Sequence, residues 1–170
     1  MGNIEKESSG SRKNSEYKDP VPTVDLLVRK ENLILLEERG RPPFENIHCL
    51  PGGHVDYGET VEEAALRELR EETSLNARLV NILGVYSDPK RDPRGQRIST
   101  VFIADWVSGE PKGSDDAKSA NWFEEKEITH PSFPLAFDHS QILRDYFEWK
   151  KAADSGIPMT FWSTKRKSNR

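Results

Sequence analysis

Residues 58–73 read GETVEEAALRELREET and follow directly on LPGGHVDY, residues 50–57. Thr60 with Glu63 three positions later forms a capping-box pattern, which predicts a helix over about 61–73. The glycine pair before it predicts a loop, because glycine tolerates turns that other residues resist. The segment therefore predicts a loop followed by a capped helix, and residues 58–73 together hold six glutamates and only two arginines.

Three of these glutamates, Glu68, Glu71 and Glu72, fall on one side of the predicted helix. At about 100° per residue, Glu71 lies near −60° and Glu72 near +40° from Glu68, so the three share about a third of the circumference. Like charges at this spacing are mildly destabilising, but a solvated helix face tolerates the cost. A hard cation such as Mg²⁺, which prefers carboxylate oxygens, converts the repulsion into attraction. By themselves the residues leave both a solvated face and a metal site open.

The spacing of the whole segment is more specific than its charge. From Gly53 the chain reads G-x5-E-x7-R-E-L-x-E-E-x-S-L. This resembles the Nudix box of the Nudix hydrolases, G-x5-E-x7-R-E-U-x-E-E-x-G-U, where U is a bulky aliphatic residue. The single departure is Ser74, at the position of the second glycine. That glycine follows the helix, where a left-handed conformation is expected, so serine should cost on the order of 1 kcal/mol there.

The resemblance implies an α/β/α sandwich with a mixed β-sheet and a catalytic loop-helix-loop. The order of the predicted elements agrees with this sandwich, because several strands separate the two long helices. We therefore predict an α/β protein in which strands and helices follow an α+β order. The resemblance also implies hydrolysis of a nucleoside diphosphate linked to another moiety, with Mg²⁺, or alternatively Mn²⁺, as cofactor. Its implied metal ligands and catalytic residues are Glu68, Glu71 and Glu72, with Arg67 orienting the carboxylates and Glu59 adding a ligand or holding the glycine loop. Gly52 and Gly53 let the backbone approach the ligand, or simply form a tight turn.

The remaining elements follow from composition and periodicity. We predict a flexible N-terminal tail over 1–19, a Nudix domain at 20–153 and a C-terminal tail over 154–170. The domain is expected to hold a hairpin over 21–39, a short strand at 47–50, further strands near 77–87, 97–107 and 119–125, and an amphipathic helix from about Asp138 that ends at Ser155. Asp138 fits the N-cap of that helix.

Segments outside the box point to a substrate. Residues 83–96, 113–117 and 135–139 resemble the ADP-ribose pyrophosphatase branch of the family, and also its ADP-ribose-sensing domains. Arg91 and Arg94 could grip a diphosphate or terminal ribose through bidentate donors, or lie in a solvated turn. In the pair Asp115–Asp116 one residue, which we assign as Asp116, supplies a ligand or the general base; the alternative is a turn-forming pair. The expected reaction converts ADP-ribose to AMP and ribose 5-phosphate. Another nucleotide substrate and a non-catalytic ADP-ribose sensor are the alternatives.

Composition limits the partners and the compartment. The net charge of −4 argues against general nucleic-acid binding, so the expected partner is a small-molecule nucleotide. No apolar run approaches the length of a membrane span. Cys49 is the only cysteine, which excludes an intrachain disulfide and fits the cytoplasm. Members of the family are often dimers, so a homodimer is a further expectation from the resemblance alone.

Overall fold

The computed structural model describes residues 18–114 and 117–156, together with the backbone of 161–162. The predicted tails fall almost entirely outside these ranges, and the limits of the domain stay predictions. No helix within the described residues is long and apolar enough to cross a membrane.

The described chain contains seven strands and three helices. They are β1 (Val21–Lys30), β2 (Leu33–Arg39), β3 (His48–Cys49), α1 (Val61–Thr73), β4 (Asn76–Tyr86), β5 (Arg97–Ser108), β6 (Ala117–Glu124), α2 (Glu125–Ile128), α3 (His139–Asp154) and β7 (Phe161–Trp162). The predicted hairpin, both long helices and the four other predicted strands are confirmed. The sequence did not predict α2, which is a single turn, or β7, which is defined only by its pairing with β4.

The strands form one mixed sheet in the order β3-β2-β1-β5-β4-β7, with β6 also paired to β2. Strand β1 runs parallel to β5, and β7 parallel to β4, while the other pairs are antiparallel. Helix α1 covers one face of the sheet and α3 the other. The expected α/β/α sandwich with a mixed sheet is therefore confirmed.

Alternation along the strands gives each face its own hydrophobic core, because successive side chains point to opposite sides. The core under α1 contains Val24, Leu26, Val28, Leu35, Ala64, Ala65, Leu69, Leu75, Phe102, Ala104 and Ala120. The core under α2 and α3 contains Leu27, Ile34, Leu36, Leu50, Leu83, Tyr86, Val101, Ile103, Ile128, Ile142, Leu143 and Tyr146. The ends of β1 and β2 therefore present side chains to both cores.

Strands β1 and β2 separate soon after the turn that joins them. They pair only at Arg29 with Ile34 and at Lys30 with Leu33. Beyond that point the glycine loop takes the place of β2, since the amide of Val24 donates to Gly53 O at 2.9 Å and that of Leu26 to Pro51 O at 2.8 Å. A cleft opens where the two strands diverge.

Both ends of α1 have the predicted geometry. The Glu63 amide donates to Thr60 Oγ1 at 3.2 Å, and the Thr60 amide donates to the Glu63 carboxylate at 2.8 Å, which completes the capping box. Ser74 ends the helix in the left-handed region at φ 61° and ψ 17°, and its amide donates to Arg70 O at 3.0 Å. The non-glycine residue at this position therefore carries the backbone strain that the sequence predicts.

Candidate active site

The cleft between β1 and β2 has a volume of about 300 Å³ and a strongly polar lining. Its acidic side chains include Asp25, Glu37, Glu68 and Glu72, and its arginines are Arg39, Arg41, Arg91, Arg94 and Arg97. The glycine loop forms one wall, and Phe137 with His139 forms part of another. A site with both carboxylates and guanidinium groups can bind a cation and a polyanionic ligand together.

Two of the three clustered glutamates of α1 face this cleft. Glu68 and Glu72 line it, because residues four apart share one side of a helix. Glu72 accepts a hydrogen bond from the Gly52 amide at 2.8 Å. Glu71 is not among the residues that line the cleft, and 61% of its side chain is exposed. Glu71 thus lies at the rim.

Arg67 holds the carboxylates around it in place. Its Nε and Nη2 donate to the two oxygens of Glu59 at 3.1 and 2.6 Å. Its Nη1 donates to Glu68 at 3.0 Å and to Glu71 at 3.2 Å, and Nη2 also reaches His54 O at 3.0 Å. Glu59 is therefore bound to arginine and to the Asp56 amide at 2.7 Å, so in this structure it fixes the glycine loop to the helix. Whether it also binds metal stays a prediction.

The two loop glycines are required by close approach of neighbouring atoms. A Cβ on Gly52 would overlap the Val24 carbonyl oxygen and lie 2.9 Å from Asp25 Cα. A Cβ on Gly53 would have the whole Glu68 carboxyl group within 2.5 Å. Gly53 therefore provides the space that the Glu68 carboxylate occupies, and Gly52 allows the loop to lie against β1. Contact of either glycine with a ligand stays a prediction.

The acidic side of the cleft is electrostatically costly without a cation. Burial raises the pKa of Glu68, although Arg67 partly offsets it. Burial, and then the charge of Glu37, raises the pKa of Glu72 well above its ordinary value. Burial likewise raises the pKa of Glu37 to about 7. Carboxyl groups that resist ionisation together become favourable ligands once a positive charge lies between them.

The donor set fits a hard divalent cation. Glu37 Oε2 is buried and accepts no hydrogen bond, while Glu68 and Glu72 are oriented by Arg67 and by the Gly52 amide. Among residues 18–114 and 117–156, no three acidic, imidazole or thiol groups already stand in a metal-binding arrangement. The side chains of Glu37, Glu68 and Glu72 thus line one cleft.

Arg91 lies in a buried ion-pair cluster that also lines the cleft. Its side chain is 5% exposed; it binds Asp138 through Nε and Nη2 at 2.9 and 2.8 Å, and Asp25 through Nη2 at 3.0 Å. Ser99 donates to Asp25 at 2.6 Å, and His139 Nε2 lies 3.5 Å from the other oxygen. Burial opposes ionisation of Asp25, but His139, Arg91 and Ser99 stabilise the carboxylate, so its pKa is held well below the usual value.

This cluster corrects the interpretation of Asp138. It occupies the N-cap position of α3, but its side chain makes no capping hydrogen bond. The carboxylate turns to Arg91 instead, because a bidentate charged pair is stronger than a bond to one amide. His139 is similarly fixed, since its Nδ1 accepts from the Leu50 amide at 2.9 Å, which leaves the proton on Nε2.

Arg94 lies near the cleft mouth, with 42% of its side chain exposed. It binds Asp92 at 2.7 Å, and its guanidinium carbon lies 5.3 Å from the centroid of the Phe137 ring. Arg39 lies 4.9 Å from the same centroid. Phe44, which is 40% exposed, contacts the Phe137 ring edge-on. The mouth thus combines two cations with two aromatic rings.

Other sequence predictions have different outcomes. Asp115 and Asp116 lie outside the described residues, so the Asp116 assignment stays a prediction.

The sequence analysis did not identify Glu37 or Asp25 as residues of the site. A signal for Glu37 was available: in LILLEER it falls on the same side of the strand as the buried Leu35, where an acidic residue is unexpected. Cys49 is buried and donates from Sγ to Glu37 at 3.3 Å.

Comparison with known proteins agrees with this geometry. The sequence model of the protein family described as NUDIX domain matches residues 19–146 of this chain. The chain is 49% identical over 134 residues to the ADP-ribose pyrophosphatase of Methanocaldococcus jannaschii, an alignment that covers 79% of this chain and 77% of that protein.

Two solved structures extend the comparison. One is a bifunctional NMN adenylyltransferase/ADP ribose pyrophosphatase from Francisella tularensis complexed with AMP and a Mn ion, at 32% identity and a TM-score of 0.71. That match covers 79% of this chain but only 43% of the other. The other is the NUDIX domain of Shewanella oneidensis NrtR complexed with ADP ribose, at 25% identity and a TM-score of 0.70, covering 81% and 93% of the two chains.

The fold and the site thus define a hydrolase whose carboxylate-bearing helix serves a phosphate-containing substrate. The chain belongs to the Nudix hydrolase family. Members of this family need a divalent metal, and the substrate class that follows is a small-molecule nucleotide.

Proposed function

We propose that this protein hydrolyses ADP-ribose to AMP and ribose 5-phosphate with Mg²⁺ as its cofactor. The observation that carries the proposal is a cleft lined both by Glu68 and Glu72 and by a set of arginines. We call that set the arginine wall; its members are Arg39, Arg41, Arg91, Arg94 and Arg97. The 49% identity to an ADP-ribose pyrophosphatase supports this particular substrate.

The side chains divide the chemistry between them. Glu68, Glu71 and Glu72 would hold the cation, and Arg67 keeps Glu68 and Glu71 at fixed positions through its Nη1 hydrogen bonds. When bound, a divalent cation neutralises the diphosphate and makes water a better nucleophile. Water adds to one phosphorus, the bridging P–O bond breaks, and the bridging oxygen leaves with the other phosphate. A carboxylate takes the proton of the water, and both the helix glutamates and Asp116 are candidates for that role.

The arginine wall would bind the rest of the substrate. Arg94 is half-exposed at the cleft mouth and can turn a planar set of donors toward a phosphate or ribose. Nε and Nη2 of Arg91 already bind Asp25 and Asp138. We therefore assign Arg91 a smaller part in substrate binding, through its remaining nitrogen Nη1. Phe137 and Phe44 at the same mouth offer aromatic surface for a base.

A binding function without catalysis is the second candidate. It is favoured by the structural likeness to the NrtR NUDIX domain, which was solved with ADP ribose. Against it, the carboxylates are present and Arg67 holds Glu68 and Glu71 in order. A sensor needs the arginine wall but has no need for an oriented acidic cluster.

The test is release of AMP from ADP-ribose in the presence of Mg²⁺, next to a panel of dinucleotides, nucleotide sugars and nucleoside triphosphates. We expect preference for ADP-ribose, and loss of turnover by orders of magnitude in Glu71→Gln and Glu72→Gln with an unchanged melting temperature. Preference for another member of the panel would overturn the substrate assignment and keep the chemistry. Binding of ADP-ribose without turnover would establish the sensor.

The same proposal includes the setting of the reaction. A cytoplasmic location is supported by the free thiol of Cys49, which needs no oxidising compartment. A homodimer stays a prediction from the family, to be measured by light scattering.

A further inference from the structure

Glu37 is a buried acidic residue that no step described so far uses. It lies near the end of β2, is 4% exposed, and lines the cleft together with Glu68 and Glu72. Its Oε1 accepts a hydrogen bond from Cys49 Sγ, while Oε2 has no hydrogen-bond partner. Buried carboxylates are almost always paired, because an uncompensated charge in the interior is expensive.

Within the described part of the chain no cationic side chain hydrogen-bonds to Glu37, and Arg39 acts on it only through its charge. The nearest cationic residue on its strand is Arg39, whose Nε and Nη2 donate to the backbone oxygens of Pro43 and Arg41 at 2.9 and 3.5 Å. The neighbour of Glu37 in the cleft lining is acidic: burial, and then the charge of Glu37, raises the pKa of Glu72. A fold under selection for stability alone would place an apolar residue beside Leu35 and the α1 core.

The position of Glu37 explains the arrangement. Glu72 reaches the cleft from the helix and Glu37 reaches it from the strand beneath, so the two carboxyl groups approach from different elements. The Cys49 thiol on the neighbouring strand β3 binds one oxygen of Glu37 and leaves the other buried without a hydrogen-bond partner. Two carboxylates in such an arrangement make a site for a hard divalent cation, which prefers oxygen ligands from separate side chains.

We propose that Glu37 is a further ligand of the divalent cation bound by the α1 glutamates, and that Cys49 is its positioning residue. The inference rests on the metal site of the proposed function and adds to it a ligand from outside the helix motif. The cation then links the helix to β2, whereas the motif residues alone would hold it only at the helix surface.

The test measures metal binding directly, without substrate. The full chain is stripped with a chelator, and Mn²⁺ binding is followed by isothermal titration and by the electron paramagnetic resonance signal of free Mn²⁺. We expect Glu37→Gln to weaken Mn²⁺ binding about tenfold or more, and Glu37→Leu to weaken it further because leucine offers no oxygen. The matched control is Glu38→Gln, which removes the same charge from the opposite side of the same strand and should bind Mn²⁺ like the parent.

A second pair of variants tests the thiol. Cys49→Ala should weaken Mn²⁺ binding several-fold because Glu37 is no longer held, and Cys49→Ser, which keeps a donor, should restore it. This pair also decides the matter if the Glu37 variants do not fold, which a thermal melt of the metal-free protein reveals.

The outcomes separate this inference from the proposed function. Glu72→Gln is measured alongside. If Glu72→Gln weakens Mn²⁺ binding while Glu37→Gln, Glu37→Leu and Cys49→Ala do not, Glu37 is not a ligand and the helix site stands. If the parent protein and Glu72→Gln bind Mn²⁺ alike or not at all, the helix site itself is wrong and the inference is overturned with it.

Discussion

Replacing Gly53 by alanine should disable the site while leaving the fold intact. The new Cβ would have the three Glu68 carboxyl atoms within 2.5 Å, whereas real Cβ contacts are essentially never shorter than 3.0 Å. The nearest carboxylate oxygen, 2.2 Å from the new Cβ, must therefore withdraw by about 0.8 Å to reach 3.0 Å, and by about 1.2 Å to reach an ordinary contact. It sits at the end of a flexible side chain, so it can move without disturbing the backbone. Its hydrogen bond to Arg67 at 3.0 Å would be lost or re-formed elsewhere.

A displacement of that size costs a reaction about 10²-fold, or about 2.7 kcal/mol of transition-state stabilisation. We expect kcat/KM for ADP-ribose to fall by that factor in Gly53→Ala, with the free energy of unfolding changed by less than about 1 kcal/mol. The matched variant is Gly52→Ala, whose Cβ meets the backbone of β1 instead; it should cost about 1–3 kcal/mol of stability or more. Steady-state kinetics and urea unfolding of both variants measure the contrast. Unchanged kcat/KM in Gly53→Ala would refute the role we give to this space.

Three further predictions concern stability and substrate binding. Ser74→Gly should raise the free energy of unfolding by about 0.5–1 kcal/mol, measured in urea, because glycine relieves the left-handed strain at φ 61°. Arg91→Ala should lower the free energy of unfolding by about 3–5 kcal/mol, because it leaves Asp25 and Asp138 without their cation. Arg94 is half-exposed, so Arg94→Ala should lower it by under about 1 kcal/mol and mainly raise KM for ADP-ribose. Equal stabilities of the two variants would contradict the difference in burial. Asp25→Asn should flatten the acid dependence of stability: the folded-state pKa of Asp25 lies below the reference value of 3.8, so its contribution is complete above that pH and is lost as the pH falls below it. The deficit of Asp25→Asn in urea unfolding should accordingly shrink as the pH is lowered from 7 toward 3, and a constant deficit would show that the carboxylate is not stabilised by folding.

The sequence predicted the elements whose signals are local. The capping box at Thr60 and the left-handed cap at Ser74 depend on residues within one helix, and both are observed. The apolar spacing of the last helix predicted an amphipathic helix, and its residues Ile142 and Tyr146 are fully buried. Helix α2 was missed because one turn is too short to show a period.

Side-chain partners were predicted less well than elements. Asp138 was assigned to the N-cap from its position, but its carboxylate binds Arg91, which lies far away in the chain. Helical spacing placed Glu71 with Glu68 and Glu72, yet only the latter two line the cleft. An angle on a helical wheel shows which residues are neighbours, and only the packing of the helix on the sheet shows which of them point inward.

The loop-helix-loop and its carboxylates could be predicted from residues 50–75 alone, because hydrogen bonds and periodicity within one segment specify them. The side chains that surround those carboxylates depend instead on tertiary packing. Divergence of β1 from β2 admits the glycine loop, opens the cleft and brings Glu37 to Glu72 from a distant strand. The same packing gathers Asp25, Arg91 and Asp138 into one buried cluster. Contacts between residues far apart in the chain depend on how strands and helices are arranged in space, and no local pattern encodes that arrangement.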